Sequence, residues 1–293
     1  MTLGLIAISI SVLMHVAWNL MARHVDPRCH YLWWGLLAHL VLFGPIGLYG
    51  LIVNSHWNTI LVTTLIITAI ANSLYFLSLG RAYLYAPVTL IYPLARSSPI
   101  LIALWSVLFF NVSLSLYSWL GIIVSIAGLI LLAASAQHGN TRQALPWAIA
   151  AALFTSVYSL SDKIAVNYLP TYDTLLGFVT VGYFASFVTL SVINIKKIGR
   201  IIPRKRPAFG YIFFGGLFIG NAYALVIYAM RDLDAAYVVT MTNAGIVIAT
   251  LLSITLFKER QAWPVRLLAA VIISAGLVLT GLAPQTPSTT PSS

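Results

Sequence analysis

The chain predicts an all-α membrane protein: ten transmembrane helices in two inverted five-helix repeats. Three observations carry that prediction. Of its 293 residues, 60% are hydrophobic and 8% charged, whereas soluble domains carry about 25% charged residues. Apolar segments long enough to span a bilayer follow one another along nearly the whole chain, separated by short polar turns. Residues 86–133 slide onto 234–281 at a constant offset of 148 positions without a gap.

The spans read as 3–22, 32–53, 59–80, 85–109, 115–136, 146–166, 172–194, 208–230, 235–257 and 262–282. Each has room to cross a hydrocarbon core of about 30 Å. Helices are expected throughout, because a span must satisfy its backbone polar groups within itself. The first segment, Leu3–Met21, has no basic leader and no small-residue cleavage site, so it reads as a retained span. In the internal repeat, Ile100 meets Ile248, Leu104 meets Leu252, and Ala127-Gly128-Leu129 meets Ala275-Gly276-Leu277. Each copy closes a half of five spans, and an odd number makes two halves in one membrane point opposite ways. The organisation is therefore residues 1–137 as the first repeat, 145–283 as the second, and 284–293 as a disordered Pro/Ser/Thr-rich tail.

The net charge of +10 would suit nucleic acid, but the basic residues sit in loops, where they orient spans and meet anionic lipid. Thirteen lie on odd-numbered loops or the span ends beside them. These are Arg23, Arg28, Arg81, Arg142, Lys196, Lys197, Arg200, Arg204, Lys205, Arg206, Lys258, Arg260 and Arg266. Even loops hold Arg231, with Lys163 near the end of the sixth span. The bias places odd loops in the cytoplasm and both termini outside, as expected for a bacterial inner-membrane protein. A single cysteine, Cys29, forbids a disulfide within the chain, and no paired Cys/His metal spacing occurs. No G-x-x-x-x-G-K-[ST] is present, so neither a nucleotide nor any other cofactor is expected.

Arg96 is the sharpest chemical signal. It falls near the middle of the fourth span, where a charge costs at least about 2.5–3.5 kcal/mol. Tyr85, Thr89, Tyr92 and Arg96 follow at helical spacing and form one polar stripe, and Pro93 and Pro99 flank the arginine. The guanidinium fork matches a carboxylate or phosphonate. The bland reading is a structural arginine bonded to carbonyls and to Asp162. Its repeat counterpart is Ala244, so Arg96 breaks the symmetry of the halves. Tyr237, Thr240 and Asn243 form a matching stripe in the ninth span and are the candidate lining opposite it. Asp162 is the one acid well inside a span, with Lys163 beside it. The pair reads as a proton-coupling acid or a gate, or else as an interfacial pair that snorkels. His15 and Asn19 share a face of the first span, where histidine titration competes with simple interhelical bonding. His39 reads as packing, Gly215, Gly216 and Gly220 as close helix contact, and Trp33, Trp34, Trp57, Trp119, Trp147 and Trp263 as mainly interfacial belt.

Two sequence segments resemble a known family. Leu256-Phe257-Lys258-Glu259-Arg260 precedes the Gly276-centred last span, and Tyr92-Pro93-Leu94-Ala95-Arg96-Ser97-Ser98-Pro99 precedes Trp119-Leu120-Gly121 and Ala127-Gly128. The chain resembles the ten-helix EamA branch of the drug/metabolite transporter superfamily. That resemblance implies a basket of ten helices, a central cavity and alternating access, with amino acids, nucleotide sugars, other metabolites or drugs as cargo. Two departures stand out. The family's acidic residue after the fourth span is Asn111 here, and members usually keep both termini in the cytoplasm.

The reading that follows is a secondary transporter of a small organic metabolite bearing a carboxylate or phosphonate, with a proton as the candidate coupling ion, acting as a monomer or homodimer. The alternative is a lipid-head-group flippase or an accessory subunit of a membrane complex. An intramembrane enzyme is disfavoured by the scarcity of acids inside spans. The charge bias makes a direct prediction. A reporter that fluoresces only in the cytoplasm, fused after Ser293, stays dark, and a bright fusion reverses the orientation.

Overall fold

Polar residues that satisfy free backbone N–H groups mark where several helices begin. Asn58 accepts from Leu61 N at 2.8 Å, Ser115 from Ser118 N at 3.2 Å and Asn140 from Gln143 N at 3.2 Å. Thr171 and Thr174 cap each other reciprocally. At the other end, Gly199 and Asn111 take the left-handed conformation, at φ 69° and 51°, and close their helices. Position 111, which departs from the family's acidic residue, thus holds a side chain that tolerates this geometry.

The structure is a computed structural model that describes residues 2–86, 88–135, 140–256, 258 and 262–283. The side chains of Arg23, Pro27, Val88 and Thr89 lie outside that description, as do Phe257, Glu259, Arg260 and the tail 284–293. Thirteen α-helices occur among the described residues. They are α1 (Thr2–His24), α2 (Tyr31–Leu42), α3 (Gly44–Asn54), α4 (Thr59–Tyr85), α5 (Val88–Ala95), α6 (Pro99–Phe110), α7 (Leu116–Ala134), α8 (Thr141–Ala165), α9 (Tyr172–Ile198), α10 (Phe209–Ala229), α11 (Ala235–Thr242), α12 (Ala244–Thr255) and α13 (Trp263–Gly281). No strand occurs among them. Nine segments are long and apolar enough to cross a membrane, and α2 with α3 makes a tenth if that pair, bent by 56°, is one span. The bend falls at Gly44-Pro45, where proline cannot donate to the preceding turn.

Three expectations about boundaries change. The third span runs on to Tyr85, and Ala86, which precedes Pro87, is extended at φ −150° and ψ 156°. Tyr85 therefore ends α4, and the stripe that placed it with Tyr92 and Arg96 on one helix is broken. The fourth and ninth spans are each interrupted, between α5 and α6 and between α11 and α12. Trp33 is not a belt residue: it is 3% exposed, and its Nε1 donates to Ser191 Oγ at 2.9 Å.

The two repeats are interleaved. The α4–α8 packing has its mirror in α10–α1, α4–α9 in α10–α2, and α6–α8 in α12–α1. The pairs α7–α13 and α3–α9 are their own mirrors. Glycine permits the closest of these contacts. Gly121 lies against Gly276 and Gly128 against Ala269, and the repeat offset turns one contact into the other. Gly47 meets Gly177 between α3 and α9 in the same way. Gly215, Gly216 and Gly220 of α10 receive the Tyr31 ring, Ala38 and the His39 ring. His39 is thereby buried as packing, with its Nε2 3.3 Å from Thr180 Oγ1.

These approaches predict a stability difference. A side chain at 276 collides with the Ser125 backbone, so Gly276→Leu lowers the unfolding free energy in mixed micelles by about 1–3 kcal/mol or more. Gly80→Ala, whose added methyl meets nothing within 4 Å, leaves it essentially unchanged.

Candidate functional site

The site begins with the break between α5 and α6. Proline at 99 has no N–H to give to the Ala95 carbonyl, so the ladder stops and the chain turns through Arg96, Ser97 and Ser98 before α6 starts. That turn brings Arg96 to the wall of a cavity of about 1470 Å³. Arg96 Nη2 donates to Thr242 Oγ1 at 2.7 Å, across the repeat boundary at the end of α11. Among the described residues its Nε is buried with no partner, and its guanidinium carbon lies 5.9 Å from the Tyr92 ring centre. Among the described residues, no carboxylate pairs with it.

Tyr92, His15 and Asn19 line the same cavity. His15 Nδ1 donates to the Ser11 carbonyl at 2.9 Å, and Asn19 Nδ2 donates to the His15 carbonyl at 2.7 Å. That bond sets the histidine tautomer and leaves Nε2 as an acceptor while the ring is neutral. Tyr75, Tyr158 and Tyr223 form the facing wall, in edge-to-face contact at 5.9 and 5.6 Å.

Other sequence candidates lie elsewhere. Tyr237, Thr240 and Asn243 do not line the cavity. Tyr237 packs in an apolar cluster with Ile102 and Ala103, Thr240 donates to the Ala236 carbonyl, and Asn243 is fully buried. The face of α11 that they occupy packs on α6, so the cavity receives Thr242 from the other face. Asp162 is also fully buried and does not meet Arg96. It accepts from Thr68 Oγ1 at 2.5 Å and from the Tyr223 hydroxyl, so it is no interfacial snorkeller. Thr242, Thr68, Tyr158 and Tyr223 were missed from sequence. Tyr158 had a faint signal, four residues before Asp162 and so on its face, but nothing marked the others.

The two ends of the cavity differ. Asp26, His30, Arg81, Ser135, Lys196 and Lys197 line one end, and all belong to odd loops or the helix ends beside them. Asp26 there takes Arg28 Nη2 at 2.9 Å and Lys205 Nζ at 3.1 Å. Arg28 and then Lys205 hold its carboxyl well below the usual carboxylate range. No even-loop residue lines the cavity. That end is plugged, with Lys163 Nζ donating to the carbonyls of Met230 and Leu233 and Arg231 to that of Leu169.

A model of the EamA-like transporter family matches residues 2–134 and again 142–282. The chain belongs to that family. A solved structure bearing only the words "Crystal structure of protein" is similar over 96% of this chain and 98% of its own, at 20% identity and a TM-score of 0.68. At that identity the likeness speaks for the fold alone. The search of curated proteins returns no match. This EamA-like protein is therefore an integral membrane transporter of small solutes, built from two repeats.

For such a transporter the plug is a gate candidate with a direct test. Lys163→Met removes both bonds that hold residues 230–233 against α8. In a Cys29→Ser background, a cysteine replacing Leu233, which is 2% exposed, then reacts several-fold faster with a membrane-impermeant maleimide. An unchanged rate means that Lys163 does not hold the plug.

Proposed function

We propose that this protein is a secondary carrier for a small organic solute bearing a carboxylate or phosphonate, with Arg96 as the anchor. The observation that carries the reading is the unsatisfied fork of Arg96. Among the described residues its one hydrogen-bond partner is a neutral hydroxyl, and no carboxylate stands beside it. An anionic group entering the cavity supplies the missing charge and can take two parallel N–H···O bonds. Thr242 and Tyr92 hold the fork in place before the solute arrives, which lowers the ordering cost of binding.

The mouth supports the same reading. Arg81, Lys196 and Lys197 stand at the open end, and a cleft with one sign of charge concentrates ligands of the other. Opening at one end and closure at the other describe one of the two states that alternating access needs. With the basic loops in the cytoplasm, the open end faces inward, in a plasma membrane. The exchange between states would part the Lys163 and Arg231 bonds at the even loops and bring the odd-loop ends together. The mirror-related packing of the repeats offers two equivalent ways to do this.

Thermal unfolding of the purified protein across a panel of carboxylates, phosphonates and organic cations tests the reading. Stabilisation by an anion, and by no cation, is the expected result. Arg96→Lys keeps the charge and loses the fork. It weakens binding of that anion by about 10–100-fold, the value of a charged hydrogen bond. Full stabilisation in the Lys or Gln variant, or stabilisation by cations alone, overturns the proposal.

A further inference from the structure

The helices α8 and α10 are tied together twice, by neighbouring residues of α8. Asp162 accepts from Tyr223 of α10, and Lys163 donates to the Met230 carbonyl where α10 ends. The first tie lies against the cavity, because Tyr223 is part of its wall. The second holds the plug. One turn of helix therefore joins the floor of the cavity to the closed end.

Asp162 is an unusual group for that place. It is fully buried, and both oxygens already accept from hydroxyls, one from Thr68 of α4 and one from Tyr223. Among the described residues, the other titratable groups facing it are Tyr183 from α9 and Tyr158 from α8 itself. None of these is a cation. Lys163 is turned to carbonyls, Arg96 to Thr242, and His15 stands on α1 in the cavity wall. A buried carboxylate without a cation is costly, and taking up a proton relieves that cost.

We propose that Asp162 is a proton-binding site loaded from the cavity through the Tyr223 hydroxyl, and that its occupancy sets the Lys163 plug. Loading is a relay. The Tyr223 O–H bond breaks as its proton passes to Asp162 Oδ2, and Tyr223 Oη takes a proton from a hydronium ion in the cavity, which is left as water, so the tyrosine ends neutral. Ionised, Asp162 accepts from Thr68 and Tyr223 together and holds α8 to α10. Once Asp162 is protonated, Oδ2 carries a hydrogen and the Tyr223 bond weakens or reverses. The loosened turn of α8 then carries Lys163 away from the Met230 and Leu233 carbonyls. Protonation thus favours opening at the even loops, and release of the proton favours the closed plug. The proposal rests on transport by alternating access and is indifferent to whether the solute is an anion.

Two readouts on the purified full-length chain in nanodiscs test it, and neither needs a solute. In infrared difference spectra between acidic and alkaline buffer, a protonated-carboxyl band should be lost in Asp162→Asn. Tyr223→Phe should keep the band but lose its fast response to a pH jump. Maleimide labelling of Leu233→Cys, in the Cys29→Ser background and taken at each pH relative to an exposed reference cysteine so that the thiolate fraction cancels, should be relatively faster in acid than in alkali. Asp162→Asn should abolish that difference. A spectrum unchanged by Asp162→Asn, or labelling whose pH dependence survives it, overturns the proposal. If the Asn variant does not fold, an unchanged pH-jump response in Tyr223→Phe overturns it alone. Failure of Arg96 in the solute panel would remove the anion reading and leave these signals standing.

Discussion

No polar group can stand unsatisfied in hydrocarbon without a large cost, and the architecture follows from that constraint. It makes every span a helix. It also decides where helices are allowed to stop. The bend at Gly44-Pro45 and the breaks at Arg96 and Asn243 free backbone groups, and they fall among other helices or beside the cavity. The same rule governs side chains. Arg96 leans on Thr242, Asp162 draws hydroxyls from two other helices, and Lys163 spends its donors on carbonyls at a helix end.

Symmetry supplies the frame, and its breaking supplies the chemistry. The α7–α13 contact is close because Gly121 and Gly128 of one repeat meet Gly276 and Ala269 of the other. Both repeats interrupt the same span. Yet only the first places a charge at the interruption, since the residue equivalent to Arg96 is Ala244. The guanidinium therefore belongs to one repeat alone and has no twin across the pseudo-symmetry.

The electrostatics of the two ends differ in kind. At the open end, lysines and arginines face water and act at range, with Asp26 already neutralised by Arg28 and Lys205. At the closed end, Lys163 and Arg231 bond carbonyls directly, so their charge serves local structure. The same sign of charge thus meets water at one end and fastens backbone at the other. The difference lies in whether water or backbone surrounds it.

By itself the sequence determined the class and most of the spans, and it singled out the one guanidinium at mid-span. Hydropathy is read over some twenty residues, and the bilayer enforces it without regard to neighbours. Arg96 was legible because no packing arrangement makes a mid-span guanidinium innocuous. Tertiary structure decided which faces look inward. Thr242 lines the cavity and Thr240 does not, because α11 turns the Tyr237–Thr240 face onto α6. Helical spacing alone cannot distinguish two faces that are both apolar with a few polar residues. Tyr85 left its stripe because the chain turns extended at Ala86, which ends α4 after Tyr85. Tyr223 and Thr68 gained their roles only when three helices met around Asp162. A hydroxyl carries no signal along the chain; its partner, supplied by a distant segment, gives it one.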